Sequence, residues 1–284
     1  MKKYLVIGNP IDHSLSPRIH NYWMKKHLLV DSIYEKRALE KKDLKNLIKE
    51  IREDKIIGVN VTVPFKKLII PFLDDLDSVA KETQSVNTLY KVKNKIIGYN
   101  TDSTGFEDTI NKLYPHKEDS MKPGPLEGKN VFILGAGGVT SSIISALYKS
   151  GAKIVLSNRT KNKAEKLKKL FPKLEILDWG KKPLICNIVI NTTSVGLTKG
   201  EEIKIDFSDY NKSLHKDILF YDLIYNPKET SFLKSARLRG NRTMNGQMMF
   251  LNQAKYAFNL WTNITPEIND EVIKILDQWL KLEF

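Results

Sequence analysis

A single cysteine, Cys186, is all that the 284 residues contain. No internal disulfide can form, which suits a reducing compartment such as the cytoplasm. Its neighbours (Leu184-Ile185-Cys186-Asn187-Ile188-Val189-Ile190) are mostly apolar, which marks a small core residue and not a reactive thiol. No apolar run approaches the roughly 18 residues that a membrane span requires. The apolar part of the opening Met1-Lys-Lys-Tyr-Leu-Val-Ile-Gly8 is too short for a signal peptide and reads as a buried strand ending at Gly8. The five histidines show no metal-ligand grouping. His20 and His27 fall on a helical pattern, His116 and His215 fall in connections, and His13 has a loop-structuring place. Internal repeats and low-complexity tracts are also missing.

The formal charge of +13 could suggest a nucleic-acid partner, but the excess is nearly all lysine and is spread along the whole chain. No zinc-finger spacing and no interleaved aromatic platform accompany it, so that class is set aside. The densest run, Lys161 to Lys173, has helical spacing and reads as a solvated face. A positive field of this kind gathers small anions. Hydrophobic residues at 41% and charged residues at 28% describe an ordinary globular protein, long enough for two modest domains.

Apolar runs alternate with amphipathic stretches, the pattern of βαβ units around mainly parallel sheet. The first series of expected strands is Tyr4–Ile7, Ser32–Lys36, Gly58–Val63, Thr88–Val92 and Lys95–Gly98, with helices near Pro17–His27 and Lys42–Arg52. A second series comprises Asn130–Leu134, Lys153–Ser157, Ile188–Asn191 and Leu219–Asp222. The segment Tyr114–Lys129 reads as a surface connection between them. Helical patterns over Gly246–Trp261 and Pro266–Leu282 close the chain.

The strand Asn130–Leu134 runs into Gly135-Ala136-Gly137-Gly138-Val139-Thr140, and a helix follows over Ser141–Ser150. Gly135 and Gly137 permit a tight turn and close approach of backbone to a pyrophosphate at a helix N-terminus. The glycine pattern is weak alone, but the strand before it and the helix after it are the context it requires. Thr140 stands where Gly or Ala is usual, which is expected to loosen helix–strand packing without blocking the turn. The next strand ends in Ser157-Asn158-Arg159-Thr160-Lys161-Asn162-Lys163. An NAD site carries an acid here for the ribose hydroxyl; this chain offers neutral Asn158, then Arg159, Thr160 and Lys163. Arg159 suits a 2′-phosphate, so the cofactor expected is NADP, against the simpler alternative of solvated surface charge.

In Gly8-Asn9-Pro10-Ile11-Asp12-His13-Ser14-Leu15-Ser16-Pro17 the hydroxyls of Ser14 and Ser16 fall on one side of an extended loop. They form a candidate carboxylate cradle, or Ser16 caps a helix with Pro17 as its first residue. In Gly58-Val59-Asn60-Val61-Thr62-Val63-Pro64-Phe65-Lys66-Lys67, Asn60 and Thr62 share one strand face. Pro64 is expected to start a helix whose first turn holds Lys66 and Lys67 against its dipole. A sequence that accepts such a placement uses one of these cations; Lys66 is the candidate proton donor. Ser85-Val86-Asn87 and Tyr99-Asn100-Thr101-Asp102 deliver further polar groups at strand ends. Asp102 either caps the next helix or orients the Lys66 ammonium; Thr104 with Glu107 already supplies a capping-box pattern.

Taken in order, these blocks resemble the shikimate dehydrogenase family. The likeness continues through Asn191-Thr-Thr-Ser-Val-Gly-Leu197, Asp222-Leu-Ile-Tyr-Asn-Pro227 and Asn245-Gly-Gln-Met-Met-Phe-Leu-Asn-Gln253. The resemblance implies two α/β domains: a substrate domain over 1–103 completed by 247–284, and a Rossmann NADP-binding domain over 104–246. It implies NADPH-dependent interconversion of 3-dehydroshikimate and shikimate, with Lys66 and Asp102 as the catalytic pair. Ser14 and Ser16 would hold the substrate carboxylate; Thr62, Asn87, Tyr225 and Gln253 would position the ring. Gly135, Ala136, Gly137, Gly138 and Val139 would bind the pyrophosphate, with Asn158, Arg159, Thr160 and Lys163 at the 2′-phosphate. Leu223 and the Gly246 backbone would border the nicotinamide. Family members often read Asp-Gly-Leu-Gly-Met-Leu where this chain has Asn245-Gly-Gln-Met-Met-Phe, and Thr-Pro-Leu-Leu where it has Thr230-Ser-Phe-Leu233. Both departures bear on cofactor placement and substrate range. Competing readings are an NAD-preferring quinate/shikimate dehydrogenase and a non-catalytic ligand-binding relative. No metal, membrane or nucleic-acid partner is expected, and a homodimer is compatible with the sequence.

Overall fold

The computed structural model describes residues 1–115, 124–198, 200–210 and 217–281. The sequence-predicted connection therefore falls partly outside the described residues, as do His116 and His215. The chain forms two compact units, one of Met1–Gly105 with Leu251–Leu276, the other of Phe106–Phe250 with the residues from Asp277 on.

The first unit contains β1 (Lys2–Gly8), α1 (Ser16–Lys26), β2 (Ser32–Ala38), α2 (Leu44–Arg52), β3 (Gly58–Val61), α3 (Phe65–Leu68), β4 (Asp75–Leu76), α4 (Ser78–Thr83), β5 (Thr88–Val92) and β6 (Lys95–Tyr99). The start of α5 (Thr101–Leu113) belongs to it as well. Its six strands lie in the order β2-β1-β3-β5-β6-β4. The sheet is mixed and not mainly parallel, because β5 pairs antiparallel with both β3 and β6. On one face, Leu44, Leu47, Ile48 and Ile51 recur at helical spacing along α2 and bury against Leu5, Ile7, Val59 and Val61. On the other, Tyr4, His20, Trp23, Tyr34, Phe258 and Trp261 stack into an aromatic layer. Gly58 is required there, since a Cβ would come within 2.4 Å of the Trp261 indole. β3 ends at Val61, short of the expected Val63, because Val63 has turned into solvent at 58% exposure.

The second unit contains β7 (Asn130–Leu134), α6 (Thr140–Lys149), β8 (Lys153–Ser157), α7 (Lys161–Leu170), β9 (Glu175–Leu177), β10 (Ile188–Asn191), β11 (Leu219–Asp222), α8 (Ser231–Leu238) and β12 (Arg242–Met244). All five strand pairings are parallel, in the order β12-β11-β10-β7-β8-β9. Numbered within the unit that order is 6-5-4-1-2-3, the doubly wound arrangement that binds a dinucleotide at the crevice between its first and fourth strands. Side chains alternate as a strand buried on both faces requires: Val131 and Ile133 enter one core, Phe132 and Leu134 the other.

Two further helices, α9 (Gln247–Thr262) and α10 (Asp270–Lys281), end the described chain. The breaks between units fall inside helices, at Gly105, Phe250 and Leu276, and not at 103 and 246. Packing explains the shift. Phe106 stacks on Tyr221 with centroids 5.5 Å apart, Met249 enters the second core, and Asp277 accepts from Lys228 and Gln247 at 2.8 Å each. No helix among the described residues is long and apolar enough to cross a membrane.

Candidate active site

In the first unit the polar strand ends converge. Lys66 Nζ donates to Asp102 Oδ2 at 2.5 Å, and both side chains are nearly buried, at 11% and 8% exposure. The ammonium has no other hydrogen-bond partner among the described residues, which leaves two of its protons for a ligand. Asn87 Nδ2 donates to Asp102 Oδ1 at 3.0 Å and lies 3.5 Å from Gln253 Oε1. Gly105 lets Gln253 in: a Cβ there would come within 2.6 Å of the Gln253 backbone nitrogen. Thr62 stands one turn before Lys66, its carbonyl accepting from the Phe65 amide at 2.8 Å.

Two local expectations are corrected. α3 is a single turn, Phe65–Leu68, so Lys66 and Lys67 sit in its first and last turn at once and oppose no extended dipole. Burial against Asp102 accounts for Lys66 instead. α5 begins at Thr101, three residues before the supposed box, and Asn100 Oδ1 accepts from the Ser103 amide at 3.1 Å. Asn100 fills the cap, and Asp102 is free to face Lys66.

The helix-cap alternative for Ser16 does not hold. Ser16 is the first residue of α1 and makes no cap; Ser14 Oγ accepts from the Ser16 amide at 3.3 Å. Ser16 is 8% exposed and its side chain hydrogen-bonds Tyr34, whose own hydroxyl donates to Asn60 Oδ1 at 2.6 Å. Asn60 in turn donates to the Asn87 carbonyl at 3.2 Å and to Thr88 Oγ1 at 3.0 Å. Tyr34 and Asn60 thus tie the serine loop to the lysine–aspartate pair. Sequence reasoning placed Asn60 on the right face but gave it no partner; the pairing spans 26 residues.

In the second unit Gly135 has φ +108°, and a Cβ would meet Thr193 Cγ2 at 2.7 Å. Gly137 is exposed and open on the side where a Cβ would stand, with only the Thr192 carbonyl at 3.7 Å. Thr140 does not loosen the helix–strand packing as expected. It is fully buried; its Oγ1 accepts from the Gly137 amide at 2.9 Å and lies 2.9 Å from Thr192 Oγ1. Thr192 donates onward to the Leu134 carbonyl at 2.9 Å, so the shared proton comes from Thr140. Ala136, Gly138 and Val139 complete the turn and are half-buried.

At the end of β8, Asn158 Nδ2 donates to the Thr160 carbonyl at 2.8 Å. Arg159, Thr160 and Lys163 are exposed, and neither cation has a side-chain partner among the described residues. α7 begins here with no acid in its first turn and no side-chain cap from Thr160, which leaves amide donors beside two free cations. That combination fits a phosphate. Asp222 ends β11 fully buried, accepting from Ile224 N and Asn191 Nδ2 at 3.0 Å each and from Thr230 Oγ1 at 2.6 Å. Burial pushes its carboxyl up to about 6. The Leu223 carbonyl lies against Gly246, where a Cβ would stand 2.0 Å away, and Tyr225 stacks on Phe250 at 4.7 Å. Sequence reasoning missed Asp222 and Asn191 as site-shaping residues; their signal is an acid and an amide ending two apolar strands.

A parallel sheet in this order, with a glycine turn after its first strand and an acid-free second strand end, marks a dinucleotide-dependent oxidoreductase. Comparison with known proteins narrows the class. Residues 6–89 match the family model for the shikimate dehydrogenase substrate binding domain, and residues 118–196 match that for shikimate / quinate 5-dehydrogenase. A shikimate dehydrogenase (NADP(+)) of Pelagibacter ubique is 51% identical over 277 residues, 97% of this chain and 99% of its own. The crystal structure of shikimate dehydrogenase from Aquifex aeolicus superposes with a TM-score of 0.82 at 37% identity, covering 94% of each chain. That of shikimate 5-dehydrogenase from Thermus thermophilus in complex with NADP(H) and shikimate gives 0.80 at 29% identity, over 94% of this chain and 95% of that one. The chain belongs to the shikimate dehydrogenase family of oxidoreductases.

Proposed function

We propose that this chain reduces 3-dehydroshikimate to shikimate with NADPH, reversibly, as a step in the route to chorismate and the aromatic amino acids. The observation that carries the reading is the buried Lys66–Asp102 pair, held by Asn87 and left with two ammonium protons unassigned. NADPH, when bound, supplies the hydride. Gly135, Ala136, Gly137, Gly138 and Val139 hold its pyrophosphate; Asn158, Arg159, Thr160 and Lys163 hold the 2′-phosphate. The open side of Gly137, and Arg159 and Lys163 with no side-chain partner among the described residues, support that fit. Leu223 and the Gly246 backbone border the nicotinamide.

Ser14 and Ser16 bind the substrate carboxylate, while Thr62, Asn87, Tyr225 and Gln253 orient the ring and its hydroxyls. Lys66 presents a charge to the C3 oxygen, where negative charge grows as the carbonyl is reduced, and then gives it a proton. A cation placed at developing charge stabilises the transition state more than the ground state. Asp102 holds the ammonium and accepts from a neighbouring substrate hydroxyl. In the oxidation direction neutral Lys66 takes the proton back.

The rival reading, a quinate/shikimate dehydrogenase that prefers NAD, lacks an acid at the end of β8 to accept from a ribose hydroxyl. We place the enzyme in the cytoplasm, as a monomer or a homodimer. Initial rates of NADPH and NADH oxidation with 3-dehydroshikimate and 3-dehydroquinate test the proposal. Turnover of 3-dehydroshikimate with NADPH is expected to dominate. A preference for 3-dehydroquinate, or for NADH, would move the chain to the rival class.

A further inference from the structure

Asp222 is a fully buried carboxylate in a strand that is otherwise apolar, Leu219-Phe220-Tyr221. Burying it is unfavourable unless its lone pairs are used. They are used, and on two different loops. Oδ1 accepts from the Ile224 amide and from Asn191 Nδ2, both at 3.0 Å; Oδ2 accepts from Thr230 Oγ1 at 2.6 Å. Thr230 caps α8 by accepting from the Leu233 amide. Asn191 ends β10 and organises the loop after it, taking the Thr193 amide and hydroxyl at 3.0 and 2.7 Å and donating to the Val195 carbonyl at 3.2 Å. The two loops also touch through Gly196, where a Cβ would stand 3.2 Å from Thr230 Cγ2. The loop after β11 carries Leu223 and Tyr225, and its Ile224 carbonyl accepts from the Gly246 amide at 3.1 Å.

We infer that Asp222 is a positioning residue: through Asn191, Ile224 and Thr230 it holds the loops after β10 and β11 in one fixed arrangement, and so sets the wall formed by Leu223, Tyr225 and Gly246. The inference rests on the proposed function, which puts that wall at the nicotinamide. In a doubly wound sheet the adenosine half of the cofactor lies over the first and second strands and the nicotinamide half over the fourth to sixth. Asp222 therefore acts on the reacting half alone. A carboxylate suits this place because three donors approach from two sides, and only a carboxylate offers acceptors on both. Asparagine is the nearest substitute. Its oxygen can serve Ile224 and Asn191, and its amide can donate to Thr230 Oγ1. Alanine leaves three donors without an acceptor.

The test compares Asp222→Ala and Asp222→Asn with the wild type by three measurements. The first is hydrogen exchange in the ligand-free protein, read at Ile224 and over Thr193–Gly196. The second is binding of 2′,5′-ADP, which reports the adenosine half only. The third is steady-state kinetics with NADPH and 3-dehydroshikimate. Asp222→Ala should lose protection at those amides and lose kcat by about tenfold or more. Its 2′,5′-ADP affinity should stay within about twofold, and Asp222→Asn should recover kcat to within about threefold. If kcat and 2′,5′-ADP binding fall together, or if kcat in Asp222→Ala stays within about twofold of wild type, Asp222 is not a positioning residue. Should Asp222→Ala fail to fold, Thr230→Val replaces it. That variant removes only the Oδ2 contact and should lower kcat several-fold with 2′,5′-ADP binding intact; unchanged kcat in it overturns the inference. A wild type inactive with both substrates would sink the functional reading instead, and the exchange measurement would still decide whether Asp222 holds the loops.

Discussion

Asn87 donates to Asp102 Oδ1 at 3.0 Å, which turns the other carboxylate oxygen toward the Lys66 ammonium. The amide itself is fixed, since Asn87 Oδ1 accepts from the Thr101 amide at 2.7 Å. Three side chains, Lys66 from α3, Asp102 from α5 and Asn87 just before β5, are thereby held before any substrate arrives. Preorganisation of this kind spares the reaction the cost of assembling charge as it proceeds.

Lys66→Ala should lower kcat by about 10²–10⁴-fold, the usual worth of a general acid–base group. Substrate affinity should change much less, and Asp102→Asn should lower kcat as well. Removing the ammonium leaves a buried carboxylate uncompensated, a loss of about 3–5 kcal/mol of stability at worst. Circular dichroism on Lys66→Ala, and on Lys66→Ala combined with Asp102→Asn, separates folding from chemistry. A folded Lys66→Ala enzyme within about threefold of wild-type kcat would show that Lys66 is not the acid.

Ser14→Ala and Ser16→Ala should raise KM for shikimate while leaving KM for NADP+ near its wild-type value. Ser14→Ala should also lower Tm slightly, because Ser14 Oγ accepts from the first-turn Ser16 amide. Steady-state kinetics and thermal melts together decide between a substrate cradle and a purely structural role. Lower Tm with unchanged KM in both variants would leave the pair a structural role only.

Arg159→Ala should weaken NADP+ binding by roughly 10–100-fold and leave NAD+ binding almost unchanged, as loss of a charge-assisted phosphate contact requires. The wild-type preference should shrink with added salt, since Arg159 is exposed. Binding isotherms for both cofactors at two ionic strengths provide the check. Equal losses for NADP+ and NAD+ would place Arg159 away from the 2′-phosphate.

What could be read from the sequence follows burial. The strands β5, β7, β8, β10 and β11 match their expected residues end to end; the last four have apolar centres with a polar residue at one end or both. The missed strands β4, β9 and β12 are two or three residues long and pair on one side only, so neither pattern nor length marks them. In the site, Asn87 and Asp102 stood out as polar residues at the ends of apolar strands, and Lys66 as a cation in the first turn of an expected helix. The Tyr34–Asn60 and Asn191–Asp222 contacts did not, because each joins residues 26 and 31 apart whose proximity only the folded sheet creates. No helix dipole opposes Lys66, because α3 is a single turn.

His20 yields the last prediction. Its ring lies flat on Tyr34 at 4.3 Å, edge-on to Trp23, and near Phe258 and Trp261, and is fully buried. Neither ring nitrogen has a hydrogen-bond partner among the described residues, and the rings stacked around it are uncharged aromatics. Burial therefore lowers its pKa from 6.5 to about 3. The folded state holds the neutral ring while the unfolded chain takes up a proton below about 6.5, so the unfolded state binds more protons and stability falls with falling pH. The loss starts near pH 6.5, grows down to about 3, and amounts to on the order of 5 kcal/mol at 1.36 kcal/mol per unit. His20→Phe keeps an aromatic ring in the layer, removes the titrating group and relieves two unsatisfied nitrogens. Chemical denaturation of both proteins between pH 4 and pH 8 should show nearly equal or slightly higher stability for the variant at pH 8 and a widening advantage toward pH 4. Parallel pH dependences for the two proteins would mean that His20 is protonated in the fold, with a buried partner supplied by water.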